Sequence, residues 1–156
     1  MSKSGESEIN DRKVKIRFHP STKYTETLWA KPIEGNLYQL DNSPFLAYGV
    51  SWQDIIEARP GEYQTLEYVR CVKKSGNRTL RVIFQEYKTT DPRADPILAR
   101  LRKLGCSYEG MQPRMISINV PPRVDLGNVT TFLEQQRGLQ WEYGDPTNEQ
   151  ATGRLD

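Results

Sequence analysis

Apolar and polar positions alternate in short runs through the first half of the chain, then give way to a longer, helix-compatible rhythm in the second. Val14-Lys15-Ile16-Arg17-Phe18 alternates strictly. Glu26 to Ala30 and Leu37 to Leu40 read as extended, with Glu34-Gly35-Asn36 as the turn between them. Leu46 to Glu57 reads as a strand, then a turn or short helix around Ser51-Trp52-Gln53-Asp54, then a second strand. Pro60-Gly61 turns the chain into Thr65 to Lys73. Five short strands at this spacing predict a small barrel or curled sheet.

From Thr79 onward the pattern spells strand, helix, strand, strand, helix, strand. Thr79 to Phe84 is rich in β-branched and aromatic residues. Asp95 to Leu104 carries Ile97, Leu98, Leu101 and Leu104 on one stripe, with Asp95 placed as cap, Pro96 in the first turn and Gly105 as stop. A short strand at Cys106 to Glu109 precedes a cleanly alternating one at Met115 to Val120. Asp125 then caps a helix with the stripe Leu126, Val129, Phe132 and Leu133, Gly138 stops it, and Leu139 to Tyr143 closes the series. This is a ferredoxin-like order. The expected fold class is α+β, with a β-barrel-like half over 13–76 packed on a ferredoxin-like half over 77–144. The polar ends, 1–12 and 145–156, are expected to be disordered tails. Lys74-Ser75-Gly76-Asn77 is a tight turn, expected to join the two halves through one hairpin and a shared core.

Charge adds little direction. Over 156 residues, 22 basic and 20 acidic side chains are spread almost evenly, so no polybasic surface is expected and nucleic acid is a disfavoured partner. The positions expected on the open sheet face, Arg81, Ile83, Gln85, Met115, Ser117 and Asn119, include no aromatic residue on which a base could stack. Cys71 and Cys106 make no disulfide framework, and neither a leader nor a membrane-length apolar run is evident. A cytoplasmic protein with reduced thiols and no membrane association is expected. His19 is the one histidine, which argues against a metal site, a catalytic triad or a cofactor requirement. Ser51 lacks the setting of a nucleophile elbow. Asp41, Asp54 and Glu57 are the carboxylates available for acid–base work, giving a hydrolase as a third reading.

The aromatic balance is more telling. Eight Tyr and three Trp outnumber four Phe, and rings with a polar tip suit half-exposed contact surfaces. Phe45, Tyr48 and Trp52, beside Pro44, offer an apolar patch in one loop, with Asp41 and Asp54 as charged neighbours. Asp41, Phe45, Tyr48, Trp52 and Asp54 are therefore the candidate partner-binding residues.

Glu26-Thr27-Leu28-Trp29-Ala30, the run from Leu40 to Ser51, and Ser75 to Val82, continued by Leu104-Gly105-Cys106 and Val120-Pro121-Pro122, together resemble a bacterial family catalogued as domain of unknown function 4265. The resemblance covers about Val14 to Tyr143. It implies a small bacterial cytosolic protein and brings no catalytic residues to carry over. By analogy with small bacterial families of this character, the expected function is non-enzymatic: an immunity protein that binds and occludes a cognate toxin. The alternative is a small-molecule or nucleic-acid binding module using the ferredoxin-like sheet.

Overall fold

The computed structural model describes residues 12–154 and is α+β. Its first part is a closed five-stranded barrel of β1 (Val14–Phe18), β2 (Glu26–Glu34), β3 (Leu37–Leu40), β4 (Ile55–Pro60) and β5 (Leu66–Lys73). Neighbouring strands run antiparallel, and β1 closes the barrel by pairing parallel with β5 at Ile16 and Leu66. Closure leaves no unpaired strand edge. The alternation of β2 points Glu26, Leu28 and Ala30 inward. Ile16, Phe18, Leu28, Leu40 and Ile56 fill the interior, with Ala47 and Val50 contributed by the long β3–β4 connection.

The second part is a four-stranded antiparallel sheet in the order β7-β8-β6-β9, made of β6 (Arg78–Phe84), β7 (Ser107–Gln112), β8 (Met115–Val120) and β9 (Leu139–Asp145). Helices α1 (Asp95–Lys103) and α2 (Leu126–Glu134) follow β6 and β8. They bury Leu98, Leu101, Val129 and Leu133 with Leu80, Val82, Ile116 and Ile118 from one face of the sheet. Asp125 caps α2 by accepting from the Gly127 N–H, as expected. Asp95 does not cap α1: it is the helix's first residue, and a 3-10 turn capped by Asp91 leads into it.

Two further expectations need correction. The turn at 74–77 does not make a hairpin, because β5 and β6 belong to different sheets and the two apolar cores are separate clusters. Nor is the end of the chain a tail from residue 145. β9 runs to Asp145, and α3 (Asn148–Thr152) follows, capped by Thr147, which accepts from the Gln150 N–H while the Gln150 side chain accepts from the Thr147 N–H. That Thr-x-x-Gln capping box was readable in the sequence. The expected N-terminal tail falls, apart from Arg12, outside the described residues.

The sheet face away from the helices is mainly polar and mostly covered, with Ile83 (47% exposed) and Gln85 left open at its outer end. Thr79, Arg81, Ser117 and Asn119 are all buried, because the β3–β4 connection lies over them. No described helix is long and apolar enough to cross a membrane.

Candidate functional site

The β3–β4 connection, residues 41–54, contains every candidate contact residue, and its course is dictated by polar groups far away in sequence. Glu26, at the barrel's rim and 5% exposed, accepts the backbone N–H groups of Phe45 (2.6 Å), Leu46 (3.0 Å) and Ala47 (2.9 Å). Arg81 then donates to the Ala47 carbonyl at 2.7 Å, and the Ser117 hydroxyl donates to the Pro44 carbonyl at 2.8 Å. Ser51 donates to Asp145 at 2.6 Å and lies 2.7 Å from the Thr79 hydroxyl. A non-regular segment can be buried only if its backbone groups are satisfied this way. Two glycines permit the approach. Gly49 has φ +80°, and its N–H donates to the Gly144 carbonyl; a Cβ on Gly144 would stand 3.1 Å from the Arg81 guanidinium carbon.

The five candidate residues separate accordingly. Phe45 is 7% exposed and Asp54 fully buried, so neither presents a surface to a partner in this conformation. Asp54 is a structural charge: it accepts from the Ser51 and Ser75 N–H groups and forms an ion pair with Lys74 at 2.6 Å. Lys74 also reaches Asp145 at 2.6 Å. Burial by itself would lower the Lys74 pKa; the Asp145 and Asp54 carboxylates outweigh it and hold the ammonium above its ordinary value. Asp41 is tied to Lys13 at 2.6 Å. Burial would raise its pKa, but Lys13 and a hydrogen bond from the Trp52 side chain keep it below the usual carboxylate range. Glu57 is clamped by Arg59 and Arg70. Asp41, Asp54 and Glu57 are thus held by three different sets of cations rather than gathered on one reacting centre. Among the described residues no group of His, Cys, Asp and Glu is arranged to hold a metal ion. The Cys106 thiol is pushed up to about 11 by burial, which leaves it neutral and a poor nucleophile.

Of the five candidates, Trp52 and Asp41 are half-buried and Tyr48 is the most exposed, at 51%. Its ring covers the Arg81 guanidinium at 4.5 Å, and its hydroxyl donates to Glu142, which also pairs with Arg81 at 2.9 Å. Burial and the Glu142 carboxylate raise the Tyr48 pKa, so the phenol stays protonated. From this corner a cavity of about 870 Å³ extends between α2, β9 and α3. Tyr48, Trp141 and Tyr143 supply aromatic surface, Glu134, Glu142 and Glu149 supply three carboxylates, and among the described residues no Lys or Arg lines it. Trp141 meets Tyr143 edge to face, and its indole N–H donates to Glu134 at 3.1 Å. Sequence reasoning found Tyr48 but not the rest. Trp141 and Tyr143 read as strand residues and Glu149 lay in the expected tail, so only the missed capping box could have brought α3 into view.

Comparison with known proteins agrees with this fold. A solved structure described as "Novel crystal structure of a hypothetical protein from Neisseria gonorrhoeae" superposes with a TM-score of 0.72 at 18% identity, covering 85% of this chain and 94% of that one. That likeness concerns the fold alone. No curated protein matches the chain. The family model described as Domain of unknown function (DUF4265) matches residues 26–143, a span that takes in the barrel from β2 onward, the covering connection and most of the second sheet, and the chain belongs to that family.

Proposed function

We propose that this is a non-enzymatic bacterial protein that works by binding another protein, and that the partner is a toxin which it neutralises by occlusion in the cytoplasm. The observation that carries the reading is the cavity beside Tyr48, lined by three aromatic rings and three carboxylates, of which Glu142 is already paired with Arg81, and by no Lys or Arg among the described residues. Such a surface suits Lys and Arg side chains, which pair with carboxylates and pack over aromatic faces. A partner presenting a basic surface fits, and toxins that act on nucleic acid carry one. The antiparallel order β7-β8-β6-β9 with both helices on one face supports reading the second half as a ferredoxin-like scaffold. In this reading it serves as a rigid mount for the groove, since its other face is mostly occupied by the β3–β4 connection.

The test is capture of the partner from the native host by wild-type protein and by the double variant Glu134→Gln, Glu149→Gln, which leaves the Glu142 partner of buried Arg81 in place, with a photo-cross-linker at exposed Thr131 on the groove wall. The wild type is expected to cross-link one basic protein, and the variant to lose it at an unchanged melting temperature. Undiminished capture by the variant sinks the proposal.

A further inference from the structure

A second groove, of about 590 Å³, lies on the outside of the barrel where β1 and β2 pair. Its walls hold Arg12, Lys13, Lys15 and Arg17, and among the described residues no Asp or Glu lines it. It shares no lining residue with the groove beside Tyr48, whose charge is the opposite. The even balance of charge over the whole chain hides this local cluster: four of the six residues from Arg12 to Arg17 are basic. Strand geometry then sorts them. Ile16 and Phe18 take the inward positions of β1, so Lys15 and Arg17 face outward together, roughly 6–7 Å apart along the strand.

The same register supplies a ring. Lys15 stands opposite Trp29 across the β1–β2 pair. Because Leu28 and Ala30 fill the barrel, Trp29 projects outward from the wall of the groove and stays 43% exposed. The Lys15 ammonium lies 5.1 Å from the centre of its ring. The ion pairs of this face involve other cations: Lys13 with Asp41 at 2.6 Å, and Arg17 with Glu67 at 3.5 Å, a carboxylate that His19 shares at 2.7 Å. The uncompensated charge is therefore centred on Lys15, beside the indole.

We propose that this groove binds single-stranded nucleic acid, with phosphates on Arg12, Lys15 and Arg17 and a base stacked on Trp29. A line of cations along a groove with an exposed ring among them is what an unpaired strand requires: charge for its backbone and a flat apolar face for a base. An acidic peptide would use the cations and leave the indole in water. A duplex would use the cations and keep its bases stacked away from the ring. Lys15 has a flexible stem, so its ammonium can pass from the ring to a phosphate as the base arrives.

The test is fluorescence anisotropy of labelled oligothymidylate and oligouridylate, each of about twelve nucleotides, with the full chain at up to about 100 µM. A duplex of the same length and unlabelled polyglutamate as competitor complete the set. One single strand or both are expected to bind more tightly than the duplex and to resist displacement by polyglutamate, and the tighter of the two identifies the sugar. Trp29→Ala, on the outer face of the barrel, should weaken binding at least about tenfold. Lys15→Gln should flatten the dependence of log K on log salt by about 0.7, the increment of one phosphate contact on a single strand. If Trp29→Ala does not fold, Lys15→Gln decides alone. Silence from both single strands overturns the assignment, as do equal binding of the duplex, displacement by polyglutamate, or wild-type behaviour in either folded variant. None of these results bears on the groove beside Tyr48, whose test uses other residues.

Discussion

Glu26 shows how much one side chain can decide. It begins β2 on the barrel's inward face, where an apolar residue would continue the core, and its carboxylate instead collects three consecutive N–H groups of the covering connection. Charged acceptors make the stronger hydrogen bonds, and a buried donor left without one is costly. Glu26→Gln would turn an NH₂ toward those N–H groups. It is expected to cost about 2–3 kcal/mol in urea unfolding, against no more than roughly 0.5 kcal/mol for Glu34→Gln on the exposed end of the same strand. Equal effects at the two positions would show that the N–H groups find other acceptors. Nothing in the local pattern marks Glu26 for this role, because its partners lie 19 to 21 residues further along.

Among the elements, what repeats along the chain was legible and what closes over distance was not. Strict alternation located β1 and β8, and the stripe Ile97, Leu98 and Leu101 located α1, since both periodicities follow from local geometry. The hairpin expected at 74–77 failed for a tertiary reason. Lys74 and Ser75 are drawn into hydrogen bonds with Asp54, which turns the chain away from β5 and into the second sheet. The aromatic patch expected at 45–52 likewise divided, because Phe45 is sealed under the connection that Tyr48 tops. Lys74 is the hinge pin of this arrangement. Lys74→Met would leave buried Asp54 and Asp145 without their cation; because the Lys74 side chain is 46% exposed and water screens the pair, the expected cost is about 1–3 kcal/mol, whereas Lys73→Met should be near neutral. The pH dependence has a definite sign. Folding raises the Lys74 pKa, so its contribution is complete below the ordinary lysine value and is lost as pH rises through the higher, folded one. Alkaline denaturation curves should show a limb in the wild type that Lys74→Met lacks.

Across the whole molecule, two apolar cores are joined by a seam of hydrogen bonds and ion pairs rather than by shared apolar surface. Each half alone would expose polar groups whose partners sit in the other, so the two are expected to unfold in one cooperative step. Trp29 lies in the barrel and Trp141 in the second sheet, so in a Trp52→Phe background Trp29→Phe and Trp141→Phe each leave a single indole, reporting on a different half. Their urea transitions should share one midpoint, once each is corrected for its own substitution; separated midpoints would mean that the halves are held only loosely. The seam also shapes how stability responds to temperature. Hydrating newly exposed apolar surface raises the heat capacity on unfolding, and hydrating polar surface lowers it. Opening a junction lined by Arg81, Ser117, Asn119, Thr79 and Asp145 subtracts from the usual increment, giving a chain of this length a flatter stability curve than its two apolar cores would set by themselves.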